Sequence, residues 1–344
     1  MGLSFAAKLI AWQKQHGRHD LPWQGTRDPY LIWVSEIMLQ QTQVATVIPY
    51  YLRFLARFPD VATLAAAPLD EVLRLWSGLG YYSRARNLHR AAQVIADAHG
   101  GRFPRRFEDV AALPGVGRST AAAICVLAFG KRHAILDGNV KRVLARYRGV
   151  KGYGGDRKIA DRLWGEAQRL LPRRAVEAYT QGLMDLGATV CTRSKPRCSL
   201  CPVHSGCVAY QRGWTGKVPA PRPRKRLPRK HTIMLALMRA GEVLLEKRPP
   251  SGIWGGMWCL PEAARKTDIE AHCLKRFGTH VVEIDELPLI AHGFTHFKLD
   301  IRPLRLRVSA LVPEAVEPGV MWLSLEEARG AAIPAPVRRI LAAL

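Results

Sequence analysis

Leu113-Pro114-Gly115-Val116-Gly117-Arg118-Ser119-Thr120 lies between two stretches of helical periodicity. Two glycines let another backbone approach closely, and the N–H groups that open the next helix are free to hold a phosphate. A lone Gly-x-Gly would read as an ordinary corner between helices. The added Pro114, the basic Arg118 and the apolar helix Ala121–Phe129 read instead as a DNA-binding helix-hairpin-helix near 107–128. Such a hairpin grips the nucleic-acid backbone; it sets position and salt dependence but reads no base. Around it, the first two thirds of the chain read as helix after helix. Asp28-Pro29 is an N-cap followed by proline at the first helical position, opening a helix through about Gln40. Further helices are expected near 43–57, 69–76, 82–98, 138–147, 156–171 and 174–186, with Gly78, Gly80, Gly100-Gly101 and Gly154-Gly155 between them.

A chain of 344 residues predicts two domains. The formal charge of +24 is unevenly spread: residues 1–216 hold 31 Lys and Arg against 15 Asp and Glu, and residues 232–344 hold 14 against 13. A one-sided basic excess marks a polyanionic partner, with nucleic acid ahead of anionic membrane. No apolar run approaches the ~18 residues of a spanning helix. Helical patterning begins near Ser4 with no charged leader, and Ala6 stands where myristoylation wants Ser or Thr. A soluble, intracellular protein is expected, without membrane attachment (cytoplasmic and nucleoid-associated in a bacterium).

Residues 217–231, KVPAPRPRKRLPRKH, hold four prolines and seven basic residues and no acid. They read as a stiff extended linker, either a solvated spacer or a contact for DNA or a repair protein. Beyond it the period changes. Ile233–Met238 and Val243–Leu245 flank Ala240-Gly241 as a hairpin would, and 297–308 alternate with a slip at Pro303 that suggests a bulge or an edge. Helical patterns near 267–277 and 334–343 complete an α+β domain over 232–344. The architecture expected is therefore multidomain: an all-α domain over 1–216, the linker over 217–231, and this second domain. No internal repeat is visible.

Of seven cysteines, Cys191, Cys198, Cys201 and Cys207 form one group with C-x6-C-x2-C-x5-C spacing. Four thiolates so grouped hold a tetrahedral zinc or a 4Fe–4S cluster. Pro196, Pro202 and Gly206 make the segment a loop with little core to bury unrelated thiols. Cys125, Cys259 and Cys273 are scattered and read as inert core residues.

Two acids stand out. Glu36 is flanked by Ile37, Met38 and Leu39, and a carboxyl half-buried among them has a raised pKa suited to a general acid. The plain alternative is a solvated helix-face glutamate. Asp137, in Leu136-Asp137-Gly138-Asn139-Val140, reads as the N-cap of the helix through Tyr147. At the end of a DNA-gripping hairpin it is also placed to face the sugar of an extruded nucleotide, with Asn139 able to bond it.

Leu21-Pro22-Trp23, the Ser35–Gln43 run, Gly78-Leu79-Gly80-Tyr81-Tyr82-Ser83-Arg84-Ala85-Arg86, the hairpin, Ile135–Val140 and the cysteine loop together resemble the MutY family of adenine DNA glycosylases, in the endonuclease III/helix-hairpin-helix superfamily. The resemblance runs nearly end to end, with the motifs in family order. It implies an all-α glycosylase domain of a six-helix barrel module and a cluster module, with one 4Fe–4S cluster on the loop 191–207. It implies a monomer that removes adenine opposite 8-oxoguanine or G in double-stranded DNA, in base excision repair. Glu36 would protonate the leaving adenine. Asp137 would stabilise the oxocarbenium-like sugar or act as a transient nucleophile, supported by Asn139. Gln40 and Gln41 would sit at the DNA wedge, Tyr81 beside the oxidised guanine and Gln181 against the flipped adenine. Gly115, Gly117, Arg118 and Ser119 would hold DNA through the hairpin. Ser119 also occupies the place where bifunctional relatives carry a Schiff-base lysine, so a monofunctional enzyme that stops at the abasic site is expected.

Arg248–Trp258, rich in Gly, Pro and Trp, resembles the opening of a Nudix fold. Glu262–Phe277 lacks the acid-rich helix a working Nudix site needs for Mg²⁺, so the fold is expected without the pyrophosphohydrolase. Phe294-Thr295-His296 would serve in reading 8-oxoguanine, with Thr295 where the family has Ser. Trp258 is expected as a core aromatic. Two rivals stay in view. An endonuclease III-like lyase is opposed by Ser119 and the second domain, and a non-catalytic iron–sulfur DNA binder is opposed by Glu36 and Asp137.

Overall fold

The computed structural model describes residues 3–223, 226–310 and 319–344. Arg224 and Lys225 of the expected linker and 311–318 of the second domain lie outside the described residues. The chain divides into two compact units: Met1–Ala66 with Asn87–Arg224, and Ala67–Arg86 with Lys225–Leu344.

The helices in chain order are α1 (Phe5–His16), α2 (Pro29–Leu39), α3 (Val44–Arg57), α4 (Val61–Ala66), α5 (Leu69–Trp76), α6 (Ser83–Ala98), α7 (Phe107–Ala112), α8 (Arg118–Phe129), α9 (Gly138–Arg148), α10 (Arg157–Leu170), α11 (Val176–Asp185) and α12 (Val208–Gln211). The expected helix starts are chemical. Asp28 accepts from the Tyr30 N–H ahead of Pro29, and Asp156 caps α10 through the Lys158 and Ile159 N–H groups. α1 packs on α11, α2 on α8, and α9 on α10 and α11. Their shared core includes Leu9, Val126, Leu144, Leu163 and Leu183, all buried. The two glycines flanking α8 differ in use. Gly130 ends it in the left-handed region, whereas Gly115 at φ +77 leaves room for Asn87, whose Cβ would stand 2.8 Å from an added Cβ.

The second unit is built on an eight-stranded mixed sheet of β1 (Arg229–Arg239), β2 (Glu242–Lys247), β3 (Trp258–Cys259), β4 (Glu262–Ala263), β5 (Thr279–Glu286), β6 (Ile290–Gly293), β7 (Lys298–Ala310) and β8 (Val320–Ser324). The order β3-β2-β1-β7-β5 is joined by β8 on β2, β4 on β1 and β6 on β7; among the described residues only β1 and β7 run parallel in this sheet. α13 (Ile269–Phe277) packs on β5, and α14 (Leu325–Gly330) packs on α15 (Ala335–Ala342) and β8. The hairpin at Ala240-Gly241 forms as expected: Met238 pairs with Val243 across two residues of positive φ.

Pro303 corrects the expectation of a bulge or an edge. β7 is central, and Pro303 falls where its outer partner changes, from β6 at Ile301 to β5 at Leu304. A missing N–H costs little at such a junction. The one register shift in this region is on β5, between Val281 and Glu283. The linker is also shorter than its composition implied. Arg229, Lys230 and His231 pair with Lys298, Leu299 and Asp300, while Val218 is buried and Ala220 bridges Tyr153. Proline and charge disfavour strands statistically, but neither blocks pairing at these particular residues. Residues 67–86 belong with the second unit through polar contacts: the Ser77 hydroxyl donates to the Ile333 carbonyl at 2.7 Å, and Lys247 pairs with Asp70 at 2.7 Å. No helix among the described residues is long and apolar enough to cross a membrane.

Candidate active site

Glu36 sits on α2 in a turn whose other side chains, Trp33, Val34, Ile37 and Met38, are buried. The carboxyl is half-buried and lines a cavity of about 460 Å³ together with Trp23, Arg27, Glu177 and Gln181. That volume is within the range of small-ligand sites. Burial, and after it repulsion from Asp137, pushes the Glu36 carboxyl up to about 8. Glu36 is therefore largely protonated at neutral pH, as the sequence reading expects of an acid among apolar neighbours.

Asp137 caps α9: its Oδ1 accepts from the Val140 N–H at 2.7 Å. Burial raises its carboxyl above the ordinary value, against the Val140 and Asn139 N–H groups and the cations Arg142 and Lys141. The two acids thus share one electrostatic neighbourhood while being held differently. Among the described residues no donor bonds the Glu36 carboxyl, whereas Asp137 accepts from the Val140 N–H.

Asn139 is a correction. Its side chain does not hold Asp137; its Oδ1 accepts from Arg142 Nη2 at 2.7 Å. The same arginine donates to the carbonyls of Gly187 (2.7 Å) and Cys191 (2.8 Å). Asn139 therefore ties α9 to the turn that follows α11. Gly187 permits this approach, since an added Cβ there would stand 2.7 Å from Asn139 Cβ. That turn is a π-helical stretch, Leu186–Val190, which continues α11 and ends at Cys191.

The cysteine loop is organised by a buried cation. Arg146, 3% exposed, donates to the carbonyls of Thr192 (2.7 Å), Arg193 (3.1 Å) and Val218 (2.9 Å), and to Cys191 Sγ at 3.3 Å. All four cysteines are free and half-buried. Burial pushes the Cys201 thiol up to about 12, and repulsion from Cys191, Cys207 and Cys198 adds to it. Sulfurs in such mutual reach, with N–H groups of Val203, Tyr210 and Ala209 turned to them, fit a thiolate-held cluster. Among the described residues no group of three or more His, Cys, Asp or Glu is arranged to enclose a single metal ion. A cubane spreads its thiolates over separate irons and does not require that. Arg193, Lys195 and Arg197 are exposed on the same loop.

On the hairpin, Gly117 precedes α8 with no side chain capping its N–H groups. Arg118 lies over the Trp164 ring, 3.9 Å from the centroid. Ser119 is turned inward: its Oγ accepts from the Leu136 N–H at 2.9 Å, next to Asp137. Gln40 Nε2 reaches Thr120 Oγ1 at 3.4 Å, and Gln41 has φ +59.

In the second unit Tyr81 is 44% exposed at φ +51, with Arg84 5.5 Å from its ring. Thr295 and His296 form an exposed tip between β6 and β7. Phe294 beneath them stacks on Phe297 at 4.4 Å and meets Trp254 at 5.5 Å. Trp258 is half-buried under Lys247 rather than a core residue. Glu246 on β2 pairs with Arg276 of α13, and Glu262 on β4 pairs with Arg248.

Residues 34–169 match the HhH-GPD superfamily of base excision DNA repair proteins, and residues 232–343 match the NUDIX domain. An adenine DNA glycosylase of Buchnera aphidicola subsp. Acyrthosiphon pisum (strain APS) is 37% identical over 341 residues, covering 98% of this chain and 96% of the relative. This chain belongs to the adenine DNA glycosylase family. The adenine DNA glycosylase of Homo sapiens is 35% identical over 405 residues, covering 98% of this chain and 73% of that one. A thermostable thymine-DNA glycosylase superposes on 60% of this chain and 95% of its own with a TM-score of 0.55 at 34% identity. Endonuclease III in a non-covalent DNA complex does so over 60% and 94%, with a TM-score of 0.51; at 23% identity it shows the fold alone.

Sequence reasoning missed two ion pairs at the cavity, each with at least one member on its lining. Arg18 and Asp185 form a pair at 2.7 Å with Asp185 fully buried, and Arg27 pairs with Glu177 at 3.0 Å. An acid at the end of the apolar run Leu183-Met184-Asp185 was the available signal, since a carboxylate amid core residues needs a cation.

Proposed function

We propose that this enzyme hydrolyses the N-glycosidic bond of adenine standing opposite 8-oxoguanine or guanine in duplex DNA, leaving an abasic site. The observation that carries the reading is Glu36: a carboxyl kept protonated near neutral pH on the wall of a base-sized cavity, with Asp137 in electrostatic reach. A base in the stack cannot reach such a cavity, so the nucleotide must be extruded. Glu36 gives its proton to a ring nitrogen of adenine as the C–N bond breaks. Asp137 faces the cationic sugar, and Asn139, held by Arg142, keeps the start of α9 in place. Water supplies the hydroxyl at C1′, and its proton returns to a carboxylate. Gln40, Gln41 and Tyr81 serve at the wedge, and Phe294, Thr295 and His296 read the opposing 8-oxoguanine. The work divides between a catalytic domain over 1–216 and a lesion-reading domain over 232–344.

Ser119 supports the monofunctional reading. Its hydroxyl has no amine to form an imine, and it is engaged by the Leu136 N–H. The test uses duplexes with A opposite 8-oxoguanine, A opposite G, and thymine glycol, each with and without alkali. Adenine release with strand breakage only after alkali is expected, and no covalent species under borohydride. Efficient nicking without alkali, or release of thymine glycol alone, would favour the lyase.

Cys191, Cys198, Cys201 and Cys207 would hold a 4Fe–4S cluster, which when bound would offset part of the charge of the four thiolates and rigidify the basic loop. Cys198→Ser is expected to lower bound iron and the yield of folded protein. A Cys198→Ser protein that lacks iron yet binds duplex DNA with unchanged affinity would remove the cluster from this account.

A further inference from the structure

Asp185 stands one helical turn after Gln181 on α11 and is the only carboxylate the Gln181 amide bonds among the described residues. Gln181 Nε2 donates to Asp185 Oδ1 at 2.9 Å. The same Oδ1 accepts from Arg18 Nε at 2.8 Å, and Oδ2 accepts from the Arg18 backbone N–H at 3.1 Å. Asp185 is 0% exposed and does not line the cavity; Gln181 and Arg18 do. A buried carboxylate is tolerated when paired and multiply bonded, and here Arg18 supplies both charge and donors.

The consequence lies in the amide. A carboxamide carries one donor end and one acceptor end, and rotating it by half a turn exchanges them. A carboxylate paired with arginine only accepts, so it selects the orientation with Nε2 turned toward it. The donor end is then occupied, and Oε1 takes no hydrogen bond from the protein among the described residues. The cavity therefore meets Gln181 as an acceptor.

We propose that Asp185, clamped by Arg18, is a positioning residue that fixes the Gln181 amide with its carbonyl oxygen to the cavity, so that the site selects a purine bearing an exocyclic amino group over its oxo counterpart. This rests on the base-release reading above and deepens it. An amino N–H satisfies Oε1, whereas an oxo group sets acceptor against acceptor and leaves both desolvated and unpaired. Sites built to bond one polar group discriminate strongly against a substrate that cannot return the bond.

The test compares single-turnover release of adenine, hypoxanthine and unsubstituted purine opposite guanine. Each rate is divided by that nucleoside's own acid-hydrolysis rate. The wild type should rank adenine above purine and purine above hypoxanthine; equal rates for purine and hypoxanthine would overturn the proposal without any variant. Asp185→Asn, which lets the amide turn, should lower the adenine-to-hypoxanthine ratio by about tenfold or more. Gln181→Ala should lower it similarly, and Asp185→Asn added to Gln181→Ala should change it no further. A ratio that falls just as much in the Gln181→Ala background would assign Asp185 a general structural role and sink the proposal. So would an unchanged ratio in Asp185→Asn. A wild-type protein that releases no adenine from any duplex would instead remove the activity itself, a separately visible outcome.

Discussion

Glu36→Gln is expected to slow adenine release by about a thousandfold while leaving affinity for the mispaired duplex within a few fold, because general acid transfer of this kind is worth about 10²–10⁴. The amide keeps the size and polarity of the carboxyl but has no proton to give. The wild-type pH profile carries the same information. With the carboxyl raised to about 8, the rate should hold through neutrality and fall as pH rises past that value. In Glu36→Gln this alkaline limb should vanish from the residual rate. Stability should move the opposite way. The folded carboxyl titrates at about 8 and the unfolded one near 4.5. The fold therefore holds a proton that the unfolded chain has lost, and the stability this represents is complete below about 4.5 and is lost as pH rises through 8. The glutamine has nothing to ionise. Its melting temperature should match the wild type near pH 5 and exceed it near pH 8.5, by an amount worth roughly 2–3 kcal/mol after discounting for the carboxyl's opening onto the cavity. Chemical denaturation at the two pH values reads this directly. Equal stability at both would mean that water in the cavity solvates the carboxylate, and the general-acid role would lose its physical basis.

Much of this site was legible because its residues act through local chemistry. Asp28 and Asp137 are helix caps, and a cap is written in the few residues around it. Ile37, Met38 and Leu39 beside Glu36 raise the reading of a half-buried acid, although position alone allows a solvated one. The cysteine spacing singles out one loop without any knowledge of the fold. The features that escaped depend on distant segments meeting. Asp185 and Arg18 are far apart in sequence, and neither has a local pattern that names the other. Arg146 reads as one more basic residue on a basic helix until three acceptors from the cysteine loop and the Val218 carbonyl close on it. Asn139 was assigned to its near neighbour Asp137, although a side chain two positions into a helix points around the axis, toward Arg142 and Gly187. Pro303 misled for the same reason, since a missing donor matters only if a partner strand asks for it at that residue.

Asp137→Asn separates the cap that Asp137 provides from the sugar-facing role proposed for it. Asparagine caps helices about as well as aspartate, so α9 should keep its N-terminus and the melting temperature should change little. What disappears is the negative charge proposed to face the sugar. Stabilisation of developing charge by a fixed group in a low-dielectric site is commonly worth about 10²–10³ in rate, and a loss of that size or greater is expected in single-turnover release. A second consequence follows from the repulsion between the two acids. Asp137 contributes to the elevation of Glu36, so removing its charge should lower the Glu36 value and shift the alkaline limb of the residual activity to lower pH. The acidic limb should weaken as well. Burial raises the Asp137 carboxyl, and the wild type should lose rate at low pH as that carboxylate is protonated. The bell belongs to the pair, and each limb is read as the pair's behaviour. Full pH–rate profiles of wild type, Asp137→Asn and Glu36→Gln, taken with melting curves, decide the matter. An Asp137→Asn protein that melts far below the wild type and also loses DNA affinity would reduce Asp137 to a cap. An alkaline limb that stays in place would show that the two carboxyls titrate independently. With stability kept, rate lost and the limb displaced, the paired-acid chemistry would rest on these two residues together.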